Sequence, residues 1–404
     1  MQSHPPITPR LRRFQGGLTT LLVSVVLLFL ATILIMVVSR TAILEQRMSA
    51  NEVRHRQAFE AAQAGLDRAM IFVTTAPRGI DKNNDNVADA GPSETLPNGS
   101  KYFVAFCQPG TALPTCPDTP GAPTCSTPTP DNFNTPTVVA CGWSDDNIAR
   151  QFLTQSISTT STILNAPTNP LTAKGAMNVG GSANVVNYFN NLTVWSGGPL
   201  TSIGNAGKTF IRNPTVPPPQ LGTTPPGEPN SCTTTANYVC VTDKNITGPD
   251  VIDNDPTLGN LASGELFKNY FGKSLSEFKS GLAPSQIISA NNAGGLAGAR
   301  GDTFFIEGDT VFPNATIGTR ERPVVLIVDG NVSFQGTPTI HGIVYVTGNV
   351  TGGGNPKIMG AMVVAGNISP TGSVDIIFDP FVSQNASYKT GTPGWITGSW
   401  RDWR

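Results

Sequence analysis

The chain has 404 residues and a formal net charge of −1, with 13% charged residues, 42 glycines and 34 prolines. So near-neutral a balance gives no electrostatic footprint for nucleic acid. Few charges with abundant Gly and Pro favour a turn-rich β body over a helical one, and the length allows two or three domains with cores of their own.

Basic residues gather near the start, at Arg10, Arg12 and Arg13, followed by Gly16 and Gly17. Leu18–Val38 then runs for 21 residues without a charge. As a helix it spans about 32 Å, enough to cross a hydrocarbon core of about 30 Å. The arginines predict a cytoplasmic N-terminus and export of the chain beyond the apolar run. A secretory signal has a shorter apolar run with small residues after it; here the glycines come before it. Ser39–Phe72 contains no proline and is rich in Ala, Glu, Gln and Arg, all good helix formers. Ile43, Met48, Phe59, Ala62, Leu66, Ala69 and Met70 recur at near-helical spacing. One helix over 18–72 is expected, apolar on all sides at first and amphipathic afterwards.

This N-terminus resembles the type IV pilin superfamily, and more closely the PilX-type minor pilins. The resemblance is carried by Arg40, Thr41, Glu45, Arg47 and Met48, then by Arg56, Ala58, Phe59, Ala61, Ala62, Ala64, Gly65 and Leu66. It covers roughly residues 13–72. It implies that a peptidase on the cytoplasmic side cuts after Gly17, or after Gly16, leaving Leu18 as the mature N-terminus in the first case. It also implies that the helix then leaves the bacterial inner membrane for a filament at the cell surface. The implied partners are other pilins or minor pilins and the inner-membrane assembly machinery. One departure matters. Where major pilins carry a glutamate at the fifth mature position, this chain has Leu22. A terminal amine without that partner is costly in a low-dielectric shaft, so a position at the tip is expected.

Next comes GIDKNNDNVADAG. Asp81, Asn83, Asp85, Val87 and Asp89 occupy positions one, three, five, seven and nine of an EF-hand-like loop, a candidate calcium site. Position twelve is Pro92, not the bidentate acid; an Asp/Asn-rich surface turn is the plainer reading. Strands are expected at 101–106, 137–141 and 149–157, with a Pro/Thr loop between the first two. Six cysteines lie beyond the apolar run, none in CxxC, and with three histidines they do not suit a zinc site. They read as disulfides of an oxidising compartment. Proximity in sequence pairs Cys116 with Cys125, Cys232 with Cys240 and Cys107 with Cys141.

The second half repeats. Gly308, Gly330, Gly348 and Gly366 follow apolar runs at intervals of 22, 18 and 18, and Gly336, Gly354 and Gly372 form a second 18-residue register. That period, with β-branched runs and turn glycines, predicts a β-solenoid. Segments around Gly180 and Gly197 read as its opening coils, and a helix over 263–281 as its cap or buttress. Asn331, Asn349 and Asn367 lie in N-x-[ST] sequons, but the repeat explains them as corner residues better than glycosylation does. Three tryptophans in GWITGSWRDWR are expected to pack on the rest of the chain.

The fold class expected is α+β, then all-β. A basic leader (1–17) and the pilin helix (18–72) precede a pilin-like β head (73–162). A β-solenoid (173–382), with an irregular insertion at about 213–300, and a Trp-rich tail (383–404) come after it. Glu307, Asp309, Asp329, His341, Asp375 and Asp379 are the side chains that could serve polysaccharide hydrolysis, which needs two carboxylates about 5–9 Å apart. Asp309 aligns with the corner asparagines and His341 with Met359, so a non-enzyme is expected. The favoured role is a minor pilin that displays the solenoid for assembly or adhesion to a surface or carbohydrate. The alternatives are a pseudopilin of a type II secretion system and a membrane-anchored β-helix scaffold or carbohydrate-active protein.

Overall fold

The computed structural model describes residues 16–75, 79–83, 87–126, 135–179, 181–202, 207–243 and 246–402. It has a long N-terminal helix followed by a mostly β remainder. Helix α1 (Gly16–Thr74) is continuous, as a stretch without proline or a helix-breaking cluster should be. Its described side chains are exposed through Val53; thereafter Ala58, Ala61, Ala62, Leu66, Ala69 and Val73 are buried along one face.

That face lies on an antiparallel sheet of β1 (Ser93–Thr95), β2 (Lys101–Cys107), β3 (Thr137–Trp143) and β4 (Arg150–Thr160), closed by a tail strand, Thr392–Trp395. The small residues of the helix let the backbones come close. An added Cβ at Gly142 would lie 2.1 Å from the Ala58 carbonyl oxygen and 2.5 Å from the Ala62 amide nitrogen. Tyr102, Val104, Phe106, Ala140, Leu153 and Ile157 fill the space between helix and sheet. Arg54 pairs with Asp146 at 2.5 Å where the helix leaves the sheet.

The outer face of the sheet is covered by the Pro/Thr loop, fastened at two points. Cys107 pairs with Cys125 and Cys116 with Cys141 (Cα–Cα 5.4 and 5.6 Å) over Trp143, Val139 and Phe152. This corrects the pairing expected from sequence proximity. Register explains it: Cys107 lies opposite Thr137 while Cys141 lies opposite Phe103. At about 3.3 Å per residue the two cysteines are more than 10 Å apart along the strands, beyond the reach of a disulfide. Cys232 pairs with Cys240.

In the second half, three parallel ladders surround one apolar core. Ile287, Phe305, Ile327, Tyr345 and Val363 stand in one row. Val332, Val350, Ile368, Met177 and Leu200 stand in a second. Ile317, Ile340, Ile358, Ile376 and Val185 stand in the third. The intervals of 22, 18 and 18 read from the glycines are the pairing register itself. Strand Val324–Asp329 is buried on both faces: Val324, Leu326 and Val328 enter the common core, while Val325 and Ile327 meet an outer aromatic cluster. A run of five apolar residues is what two-sided burial requires. At one corner Asp309, Asn331, Asn349 and Asn367 form a ladder, each Oδ1 accepting the next backbone amide at 2.8 Å, the last from Ala176.

Three expectations need correction. The segment near Gly197 does not open the stack, nor does Leu171–Ala173: Met362 pairs with Leu171 and Ile376 with Val185, so these repeats sit beyond the C-terminal one; Gly180 lies outside the described residues. The helix expected over 263–281 is two short ones, Glu265–Phe271 and Leu275–Ser280, broken at Gly272 (φ +72) and restarted by a Ser274–Glu277 capping box. They cover the flank of the first ladder through Phe267 and Phe271 against Tyr345, with Phe278 packed on both phenylalanines. The 213–300 insertion is not wholly irregular: Tyr238–Asp243 pairs with Lys208–Arg212, and Val251–Ile252 with Val194–Ser196.

The tail begins with helix Pro380–Lys389 and returns to the head. Trp395 and Trp400 pack on the head core, Trp400 edge-on to Phe59 at 6.4 Å; Trp403 lies outside the described residues. The stacked β region therefore sits between the fourth and fifth strands of the head sheet.

Gly142→Ala should lever α1 off the sheet and lower stability by about 3 kcal/mol. Thermal unfolding of the purified chain in detergent checks this; an unchanged melting temperature would contradict the close approach.

Candidate functional site

The largest chemical feature is the uncovered part of α1. Leu21, Leu22, Leu27, Leu28, Phe29 and Leu34 are each more than 60% exposed, although the helix is long and apolar enough to cross a membrane. Between Leu21 and Leu34 the polar residues are Ser24 and Thr32, which donate their hydroxyls to the carbonyls of Leu21 and Phe29. No side chain there is left needing water. Gly17 and Leu18 lie in the first turns of α1. Arg10, Arg12 and Arg13 lie outside the described residues.

Of the candidate calcium ligands, Asp85 is outside the described residues. Asp89 turns its carboxylate back on the loop, where Oδ2 accepts the amides of Lys82 and, at 3.1 Å, Asn83. Asp81 is fully buried and its carbonyl accepts Arg322 Nη1 at 2.5 Å. The Lys82 ammonium lies 4.7 Å from the Phe72 ring centroid and donates to the Thr75 carbonyl at 2.7 Å. Burial first, then the Arg322 charge, push its pKa down to about 8. Arg322 thus reaches the loop that calcium would enter, while Lys82 of the loop itself turns its ammonium back to the end of α1. Sequence could not place Arg322 there, since it comes from the other half of the chain. Among the described residues no cluster of three or more His, Cys, Asp or Glu could hold a metal ion.

The side chains considered for hydrolysis each make a structural contact of their own, although Glu307 and Asp329 are register neighbours on adjacent strands. Glu307 pairs with Lys279. Asp309 heads the asparagine ladder, and Asp329 accepts from Thr347 Oγ1 at 3.2 Å. Asp379 is fully buried, pairs with Arg320 at 2.7 Å and caps the tail helix by accepting the Phe381 amide. His341 stands in register with Met359, and burial lowers its pKa. Asp375 accepts the Asn184 amide at 3.1 Å beside Glu228 and Lys357, which pair at 2.7 Å. Burial, then the Glu228 charge, raise Asp375 to about 6. A cleft of about 1320 Å³ opens between head and β region, lined by Leu164, Phe189, Leu221, Phe271, Ser383 and Tyr388 among others; among the described residues its lining includes no carboxylate.

Comparison with known proteins agrees with the N-terminal resemblance. Residues 16–67 match the family model described as PilX N-terminal, so this segment is of the type IV minor-pilin kind. Residues 295–373, within the stacked repeats, match a model described as a domain of unknown function (DUF8470). No curated protein matches the chain. Among solved structures, the competence-associated pilin ComZ from Thermus thermophilus is 13% identical over 86% of this chain and 97% of its own, at a TM-score of 0.24. That likeness is too distant to carry an inference.

Asp375 gives a pH test. Its folded pKa lies above the ordinary carboxyl value, so its contribution to stability is complete below about pH 4 and is lost as pH rises through about 6. Asp375→Asn keeps an acceptor for the Asn184 amide. It should melt above the parent at pH 7.5, with the gap closing by pH 4; a gap independent of pH would contradict the assignment.

Proposed function

We propose that this chain is a minor pilin that enters a type IV pilus at or near its tip and carries a β-solenoid module outside the filament. The observation that supports the reading most is the PilX-type segment at 16–67, joined to a helix whose apolar half has no cover within the chain. Before assembly the bilayer covers that half, with Arg10, Arg12 and Arg13 holding the N-terminus in the cytoplasm. Cleavage after Gly17 frees the helix to exchange lipid for the helices of other pilins. The exchange has little hydrophobic driving force of its own, because lipid tails are as apolar as leucine. Packing between helices and the assembly machinery must supply direction.

Leu22 supports the tip position. A subunit that brings no carboxylate to a neighbour's terminal amine leaves a charge unpaired at every repeat along a shaft, but does so once at an end. The module's features fit display rather than chemistry. Its side-chain ladder and two-sided strands build a stiff support, and Asp309, Asp375 and Asp379 are occupied by backbone amides and a guanidinium.

Gold-labelled antibody to the β region should mark filament ends and leave shafts bare. Even labelling along shafts would refute the tip position. Gly17→Ala should leave the full-length chain in the membrane fraction, absent from sheared filaments; its appearance in filaments at the parental level would refute the processing step.

A further inference from the structure

The head sheet is completed by a strand that lies beyond the whole β region. Thr160 pairs with Thr392, Ser158 with Gly394 and Ile157 with Trp395. The contact continues past the strand. Thr154 and Arg401 exchange backbone hydrogen bonds at 2.8 Å in both directions, Ser156 N donates to Ser399 Oγ at 3.1 Å, and Ile396 N donates to Ser156 O at 2.9 Å. Trp400 then meets Phe59 of α1. The fit is close: an added Cβ at Gly391 would lie 2.0 Å from the Thr160 carbonyl oxygen.

Both connections between head and β region leave from one seam. The repeat that leads to the tail stacks directly on the repeat that comes after the head, through Ile376–Val185 and Met362–Leu171. The two connecting segments touch, with Thr162 N donating to Ser387 O at 3.0 Å and Thr390 Oγ1 to Thr162 Oγ1 at 3.1 Å. The folded β region therefore delivers the tail to the edge of β4. If it were unfolded, the same ends would close a loop of about 230 residues instead of one of about 10–20. Loop closure falls with about the three-halves power of length, so the tail would find its edge roughly 50-fold less often.

We propose that the tail is a latch that makes completion of the pilin head conditional on folding of the stacked β region. Until the seam forms, β4 presents an unpaired edge, and the head core is open beside Phe59. Coupling of this kind is reciprocal, so the closed head also favours the formed seam. Its consequence for assembly rests on the pilin reading above: a chain whose display module has failed to fold would present an incomplete head to the assembly machinery.

Hydrogen exchange of the full chain in detergent, read by fragment mass spectrometry, separates the two claims because it needs no filament. The informative amides are Thr154 and Ser156, whose acceptors lie in the tail; Val104 of β2, away from the latch, is the reference. Val344→Asp places a charge in the core of the β region, where Val344 is fully buried, far from β4. It should lower protection of Thr154 and Ser156 by about 50-fold relative to the parent. Gly391→Ala, which opens the latch while leaving the β region folded, should lower the same two amides and spare Val344. Parental protection of Thr154 and Ser156 in Val344→Asp would overturn the proposal, as would parental protection of both amides in Gly391→Ala. If these results hold while the chain is never found in filaments, the latch stands and the pilin reading falls.

Discussion

The apolar half of α1 has nothing in its own chain to lie against, and the rest of the architecture answers that constraint. Some 30 residues of helix with leucines and valines exposed on every side are stable only in lipid or among other such helices. A rod with those two environments must be gripped firmly at its other end. The head grips it with alanines and glycines, which permit backbone approach at Gly142, and with the ion pairs Arg54–Asp146 at the exit point and Arg68–Glu94 beside β1. The grip is narrow, spanning α1 from about residue 54 to 73, so the sheet behind it has to be rigid. The disulfide-held loop on its outer face and the tail strand at its edge supply that rigidity.

The β region is inserted between the fourth and fifth strands of the head sheet. Its two connections meet at one seam, and its stack extends in both directions from there. Inverted order along the stack, with early repeats seated beyond late ones, is what places both connections side by side. A stack running simply from first repeat to last would set its two ends far apart and leave the tail unable to reach β4.

Much of this was legible in the residues. The helix is written in the absence of proline and in the change from all-round to one-sided apolarity. The 18-residue interval could be read because stacked strands must share a register, so pairing geometry imprints itself as spacing. The features that escaped depend on contacts far apart in sequence. Nothing near Thr392 announces that Thr160 is its partner, and nothing near Asp81 announces Arg322. The cysteines misled because nearness along a loop says little once register fixes where strand cysteines lie. Gly272 split a helix that periodicity alone would carry through. At the candidate calcium loop, only Arg322 arrives from a distant part of the chain.

A pilin role requires that this rod be cut free of its basic leader and then exchange lipid for neighbouring helices. Terminal sequencing of the native polypeptide recovered from sheared filaments tests that requirement without an intermediate step. Filament-borne chains should begin at Leu18; recovery of chains that still carry Arg10–Arg13 would contradict the exchange.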